Sequence, residues 1–231
     1  MHKLFETGCL MLIGLSGMAS GSGFAGPLSD SNPPEGAVIL FGGQDTSSWV
    51  HRDGRMAEWA VKDGVLEIVP KTGDIMTRQH FGDFRLHLEF QLPILPPEAK
   101  GQARANSGVY LQGRYEIQIL DSFNNETYAN GMSGALYGQK APDINACKPG
   151  GQWQSYDITF RSGRSAPDRT LMERPRVTVY HNGILIHDSV EIVGDATPGG
   201  MVGDISKGGP ILLQDHSHPI RFRNIWLKPI K

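Results

Sequence analysis

"WAVKDGVLEIV", residues 59–69, decides the fold class. At its centre, Asp63-Gly64 is the two-residue signal of a type I′ hairpin turn, because both positions need a left-handed backbone that these residue types tolerate. Folding the stretch on itself sets Val61 against Leu66 and Trp59 against Ile68, which gives one apolar face. The pattern returns in "VTVYHNGILIHD", residues 177–188, where Asn182-Gly183 is the turn and Val179 falls opposite Ile186. Alternating apolar runs mark further strands at 84–92, 107–112, 115–121, 153–161, 211–215 and 220–228. No stretch carries a helical stripe. Strands at regular spacing with turn residues between them specify two packed antiparallel sheets. The segments 93–105 and 122–152 are long loops, and loops of that length in a compact domain carry function.

Composition narrows the partners. The chain has 231 residues and a net charge of −2. It contains no basic run, so neither nucleic acid nor an anionic membrane surface is a partner. Residues 1–25 have the layout of a signal peptide: Lys3, a short apolar run around Leu10–Leu15, then Gly23-Phe24-Ala25 as the cleavage site. That run is too short for a membrane anchor, so the expectation is export to a bacterial periplasm. Residues 26–36, "GPLSDSNPPEG", read as a flexible leader, and 37–231 as one domain. After cleavage Cys147 is the single cysteine. It therefore forms no intramolecular disulfide and is expected as a small buried or loop thiol.

Candidate chemistry concentrates in three places. In "YEIQILD", residues 115–121, the period of two sends Glu116 and Gln118 to one face and Tyr115, Ile117 and Ile119 to the other. Asp121 joins the Glu116 face only if a bulge at Ile119–Leu120 intervenes. The run resembles the E-x-D-x-x-E strand of laminarinase-type glucanases, but its middle residue is an amide. Gln118 can bind sugar hydroxyls but cannot ionise, whereas a retaining glycosidase needs two carboxyl groups about 5–5.5 Å apart. The second place is "LLQDHSHPIRFRNIWLKPI", residues 212–230. There Asp215, His216 and His218 are a possible metal set, while His216 alone suits proton transfer near neutral pH. Arg223 in the last strand is either a surface residue with a packed stem or an anchor for an anion or carbonyl. The third is "GALYGQKAP", residues 134–142, which places Tyr137 and Lys140 in a loop able to close over a cleft. Trp153 is either a sugar-stacking platform or a core aromatic.

Taken in order, "LFGGQDTSSWV", "WAVKDGVLEI", "FGDFRLHLEF", "NSGVYLQG", "YEIQILDS", "GALYG", "VYHNGILIHD" and "ILLQDHSHPIRFRNIWLKPI" resemble the 3-keto-disaccharide hydrolase domain over residues 37–231. Ser217 stands where that family has glycine, followed by an extra His218, and Gly42 and Gln154 replace its asparagines. The resemblance implies a concanavalin-like jelly-roll sandwich with a carbohydrate cleft on its concave sheet. It also implies a small carbohydrate substrate, with Glu116 and His216 as catalytic residues and Asn106, Gln118, Tyr137, Lys140 and Arg223 binding the sugar. The implied reaction is cleavage of a 3-keto glycoside: removal of the carbon-2 proton, expulsion of the aglycone from carbon 1, then hydration. A base and an acid suffice for that route, with a divalent metal ion as a possible holder of the enolate charge. The competing functions are a non-catalytic carbohydrate-binding sandwich and a laminarinase-type glucanase.

Overall fold

The structure, a computed structural model, describes residues 31–168 and 170–230. The expected signal peptide and residues 26–30 lie outside the described residues. In chain order the strands are β1 (Val38–Phe41), β2 (Trp49–His51), β3 (Ala60–Lys62), β4 (Val65–Glu67), β5 (Ile75–Thr77), β6 (Phe84–Gln91), β7 (Ser107–Leu111) and β8 (Tyr115–Ile119). They continue as β9 (Trp153–Arg161), β10 (Arg164–Ser165), β11 (Leu171–Glu173), β12 (Arg176–His181), β13 (Ile184–Glu191), β14 (Leu212–Leu213) and β15 (Arg221–Pro229). One sheet has the order β13-β12-β9-β6-β15-β4-β3, with β1 also paired to β15, which makes it eight-stranded. The second, five-stranded, runs β2-β5-β14-β7-β8, and β10 and β11 form a small separate ribbon. The neighbours pair antiparallel. This is an all-β jelly-roll sandwich.

Alternation builds the core. From the eight-stranded sheet, Leu86, Leu88, Phe90, Tyr156, Ile158 and Phe160 point inward; from the five-stranded sheet, Val109, Leu111, Tyr115, Ile117, Ile119 and Leu213 meet them. All are fully or almost fully buried, and each such aliphatic or aromatic side chain contributes about 1.5–3 kcal/mol. Phe84 stacks on Phe160 at 5.2 Å between ring centres, and Trp59 on Phe222 at 5.9 Å.

Both turns read from the sequence form. Asp63 and Gly64 have φ of 52° and 77°, and Asn182 and Gly183 have 53° and 78°. Val61 pairs with Leu66 as expected. The second hairpin departs from its expected register: Val179 pairs with His187, not Ile186, because a bulge separates it from the Tyr180–Leu185 pair. β15 departs as well. Asn224 takes φ of 48°, and the pairing with β6 jumps from Arg223↔Glu89 to Trp226↔His87. Simple alternation would put Phe222, Asn224 and Trp226 on one face. Instead Phe222, Ile225 and Leu227 join the core, while Arg223 and Asn224 bond outward to Glu89 and Trp226 stacks on His87. Residues 31–36 lack regular structure but are fastened there, since the Ser31 carbonyl accepts from Asn224 Nδ2 and Trp226 Nε1. No described helix is long and apolar enough to cross a membrane.

Candidate active site

The hairpin β7–β8 creates the site. Its three-residue loop carries Gln112 and Gly113 at φ of 54° and 68°, and the resulting register sets Tyr110 opposite Glu116 and Gly108 opposite Gln118. Core residues flank these four along each strand, so all four face outward from the five-stranded sheet. They are nevertheless buried, because loops wall the face. A Cβ on Gly108 would sit 2.2 Å from Glu116 Oε1, so the carboxyl group lies directly on that glycine.

Glu116 is the centre. Tyr110 donates its hydroxyl hydrogen to Glu116 Oε2 at 2.8 Å, and Gln214 Nε2 donates to the Tyr110 oxygen at 3.2 Å. Burial pushes the Glu116 carboxyl up to about 8; Tyr110's hydrogen bond pulls it down, and the charge of Asp74 adds to the rise. Asp74 is itself paired with Arg52 at 2.9 Å. With no cation bonded to it among the described residues, Glu116 keeps its proton at neutral pH. Above it, Tyr128 and Tyr137 share a hydrogen bond of 2.6 Å between hydroxyls and form a partly exposed aromatic rim. Burial pushes Tyr128 up to about 12, with the Tyr137 hydrogen bond, the Tyr137 charge and the Glu116 charge adding to the rise.

A chain of amides extends the face. Gln118 Nε2 donates to Gln102 Oε1 at 3.1 Å, and Asn106 Nδ2 donates to the Gln102 carbonyl at 2.9 Å. Gln118 Oε1 is buried without a hydrogen-bond partner, an acceptor left for a ligand hydroxyl. His218 Nδ1 accepts the Asn106 backbone N–H at 3.2 Å, which fixes its proton on Nε2. His216 is exposed at the rim, its ring parallel to that of His218 with centres 6.5 Å apart.

The structure thus brings Glu116, Gln118, Asn106 and Tyr137 together, with His216 at the edge. One expected member is elsewhere and another is held in an ion pair. Arg223 lies on the outer face of the eight-stranded sheet, bonded to Glu89 at 2.7 Å and 4.0 Å over the Trp153 ring. The Glu116 face belongs to the other sheet, so the expected convergence of the two is corrected. Lys140 pairs with Asp143. Asp121 forms an ion pair with Arg104 at 2.9 Å, and the regular pairing of β8 with β7 ends at Ile119, before the Ile119–Leu120 step. Trp153 is a half-buried surface aromatic, not a core one. Cys147 is a buried free thiol.

A resident metal does not fit these residues. Among the described residues no three His, Cys, Asp or Glu side chains gather as ligands. Asp215 is committed to the backbone N–H groups of Gly73 and Ser217. Sequence reading missed Tyr110, Asp74 and Gln102. For Tyr110 the signal was present, since a three-residue loop in "YLQGRYE" puts it across from Glu116.

A jelly-roll sandwich that gathers carboxyl, amide, phenol and imidazole groups on one sheet face beside an exposed aromatic pair suits a polyhydroxylated ligand. The chain belongs to the 3-keto-alpha-glucoside-1,2-lyase-like domain family, whose model matches residues 36–228. It is similar to a protein of Parabacteroides distasonis described provisionally as a glycosyl hydrolase: 38% identity, TM-score 0.77, covering 90% of this chain and 95% of that one. A second solved structure from that organism, with the same description, is 22% identical at TM-score 0.63, covers 85% and 95%, and shares the fold. No curated protein matches the chain. The domain is therefore a carbohydrate-active enzyme or carbohydrate-binding domain.

Proposed function

We propose that the chain cleaves 3-keto glycosides at the outer face of the five-stranded sheet, by elimination followed by hydration. The observation that carries this reading is Glu116: one buried carboxyl, pushed up to about 8, with an amide two residues along where a retaining glucanase has its next carboxylate. A protonated carboxyl suits a general acid at neutral pH. His216 at the rim takes the carbon-2 proton, and the electrons of that C–H bond pass into an enolate on the keto oxygen. The C1–O bond then breaks, and the departing oxygen receives the Glu116 proton. Water adds to carbon 1 of the resulting enone while the Glu116 carboxylate accepts a water proton, and His216 returns its proton to carbon 2. Atoms and charge balance over the cycle. Asn106, Gln118 and the Nε2–H of His218 bind the sugar and its developing oxyanion, and Tyr137 with Tyr128 provides the apolar wall.

The test compares ordinary and 3-keto glucosides with the same purified protein. Cleavage of the keto substrate alone is the expected result, with His216→Ala lowering its turnover about a hundredfold or more. Equal cleavage of both substrates would exclude a carbonyl-dependent route. Binding of both without cleavage would leave a binding module.

A further inference from the structure

The outer face of the eight-stranded sheet carries a second constellation that the Glu116 chemistry does not use. Two adjoining recesses of about 380 and 460 Å³ have Trp153 and Arg223 as common walls. They run from Ala60 and Lys62 in β3 to the turn at Asn182, across six strands. At ~4.8 Å per strand that is about 24 Å, a length for a chain of units and not for one ring. His87 in β6 is at its floor, 3% exposed. Its Nδ1 is 2.7 Å from Asp157 Oδ1, so the carboxylate accepts the Nδ1 hydrogen and orients the ring. Its Nε2 has no hydrogen-bond partner, because Glu89 Oε1 is 3.8 Å away. A buried ring nitrogen held by a carboxylate on one side and unpartnered on the other is a polar atom at the floor that a ligand hydroxyl would satisfy.

We infer that this groove, with the stacked Trp153 and Arg223 as its flat wall and His87 and Glu89 as further polar contacts, holds a neutral glycan chain remote from the Glu116 site. The charge pattern selects the ligand. Acidic and basic side chains lining the two recesses are equal in number, and Glu89 and Glu67 are each paired with an arginine. Such a surface offers fixed donors and acceptors without net attraction for an anion, which matches a chain of hydroxyls. Trp153 is half-buried and borders both recesses, and with the Arg223 guanidinium 4.0 Å over its ring the two side chains form one flat wall along the line of the chain.

The probes are maltohexaose and cellohexaose, with hexa-galacturonate as the anionic comparison, titrated calorimetrically into the whole chain. At least one neutral hexasaccharide should bind, and the anionic one more weakly. Trp153→Ala should weaken that binding about tenfold or more, and Glu89→Gln, which keeps side-chain size, should weaken it in the same direction. Glu116→Gln should leave it unchanged, and Trp153→Ala should turn over a 3-keto glucoside within about twofold of wild type. The inference is overturned if neither neutral hexasaccharide binds, or if binding survives both groove variants. It is equally overturned if Trp153→Ala alters only self-association by light scattering, since the groove would then be an interface between copies.

Discussion

Glu116 and Glu89 are both outward-facing glutamates on central stretches of strand, one on each sheet of the sandwich, and their environments drive them in opposite directions. Glu89 is partly buried, which raises its pKa, but the hydrogen bonds from Asn224 and Arg223 and the arginine charge outweigh that and hold it below the ordinary value. Glu116 accepts its side-chain hydrogen bond from a phenol and has a carboxylate, Asp74, as its charged influence, and burial wins. Burial raises both carboxyls, and what differs is whether donors and a cation are close enough to overcome it: they are at Glu89 and not at Glu116. The five-stranded sheet keeps its cation one step away, on Arg52, bonded to Asp74. The eight-stranded sheet lays Arg223 directly on the carboxylate.

The largest effect expected from this contrast is on stability against pH. Native Glu116 holds its proton to about 8, whereas the unfolded chain releases it near the ordinary 4.5. Between those values the unfolded state binds fewer protons, so stability falls as pH rises and levels off above the upper value. Glu116→Gln should remove that slope and be the more stable form at pH 8 by several kcal/mol, at about 1.4 kcal/mol for each pH unit between the two values. Thermal melts of both proteins from pH 5 to 8 check it, and parallel curves would show the carboxyl ionised throughout. The eight-stranded sheet should set the acid limb instead. Burial holds His181 down to about 3 and His187 to about 4, so the stability tied to their neutral forms is lost as pH falls from 6.5 toward those values.

Activity should separate the two glutamates next. Glu116→Gln should reduce turnover of a 3-keto glucoside about a hundredfold or more, while Glu89→Gln should leave it within about twofold. Equal losses in steady-state kinetics would mean the two faces are coupled. A smaller effect is expected at Gly108→Ala, whose new methyl would meet Glu116 Oε1. The strand can keep its backbone, so the loss should be about 1–2 kcal/mol of stability, read from urea unfolding, with the Glu116 carboxyl displaced and turnover reduced. The smallest change belongs to Glu67→Ala. It breaks the exposed pair with Arg221 and should cost less than about 1 kcal/mol.

Much of the sandwich could be read directly because its rules are local. Asp63-Gly64 and Asn182-Gly183 choose their turn from their own backbone preferences, and β9 begins and ends where its alternation does, at Trp153 and Arg161. Glu116 and Gln118 share a face for the same reason, since period two needs no knowledge of the rest of the chain. β14 was harder: 211–215 reads as a strand, but only Leu212 and Leu213 pair, because Asp215 is spent on the turn that follows.

The chain by itself determined the turns, the strand periodicity and the pairing of a carboxyl with an amide on one face, since each follows from neighbouring residues. Only the tertiary structure decided that Arg223 belongs to Glu89, 134 residues away in the chain, and that His218, not His216, is tied to the amide chain through Asn106. It also decided that Glu116 keeps its proton, which depends on Tyr110, Asp74 and the loops that exclude water. Periodicity is a property of the backbone; charge and protonation are properties of whatever the fold brings within a few ångströms.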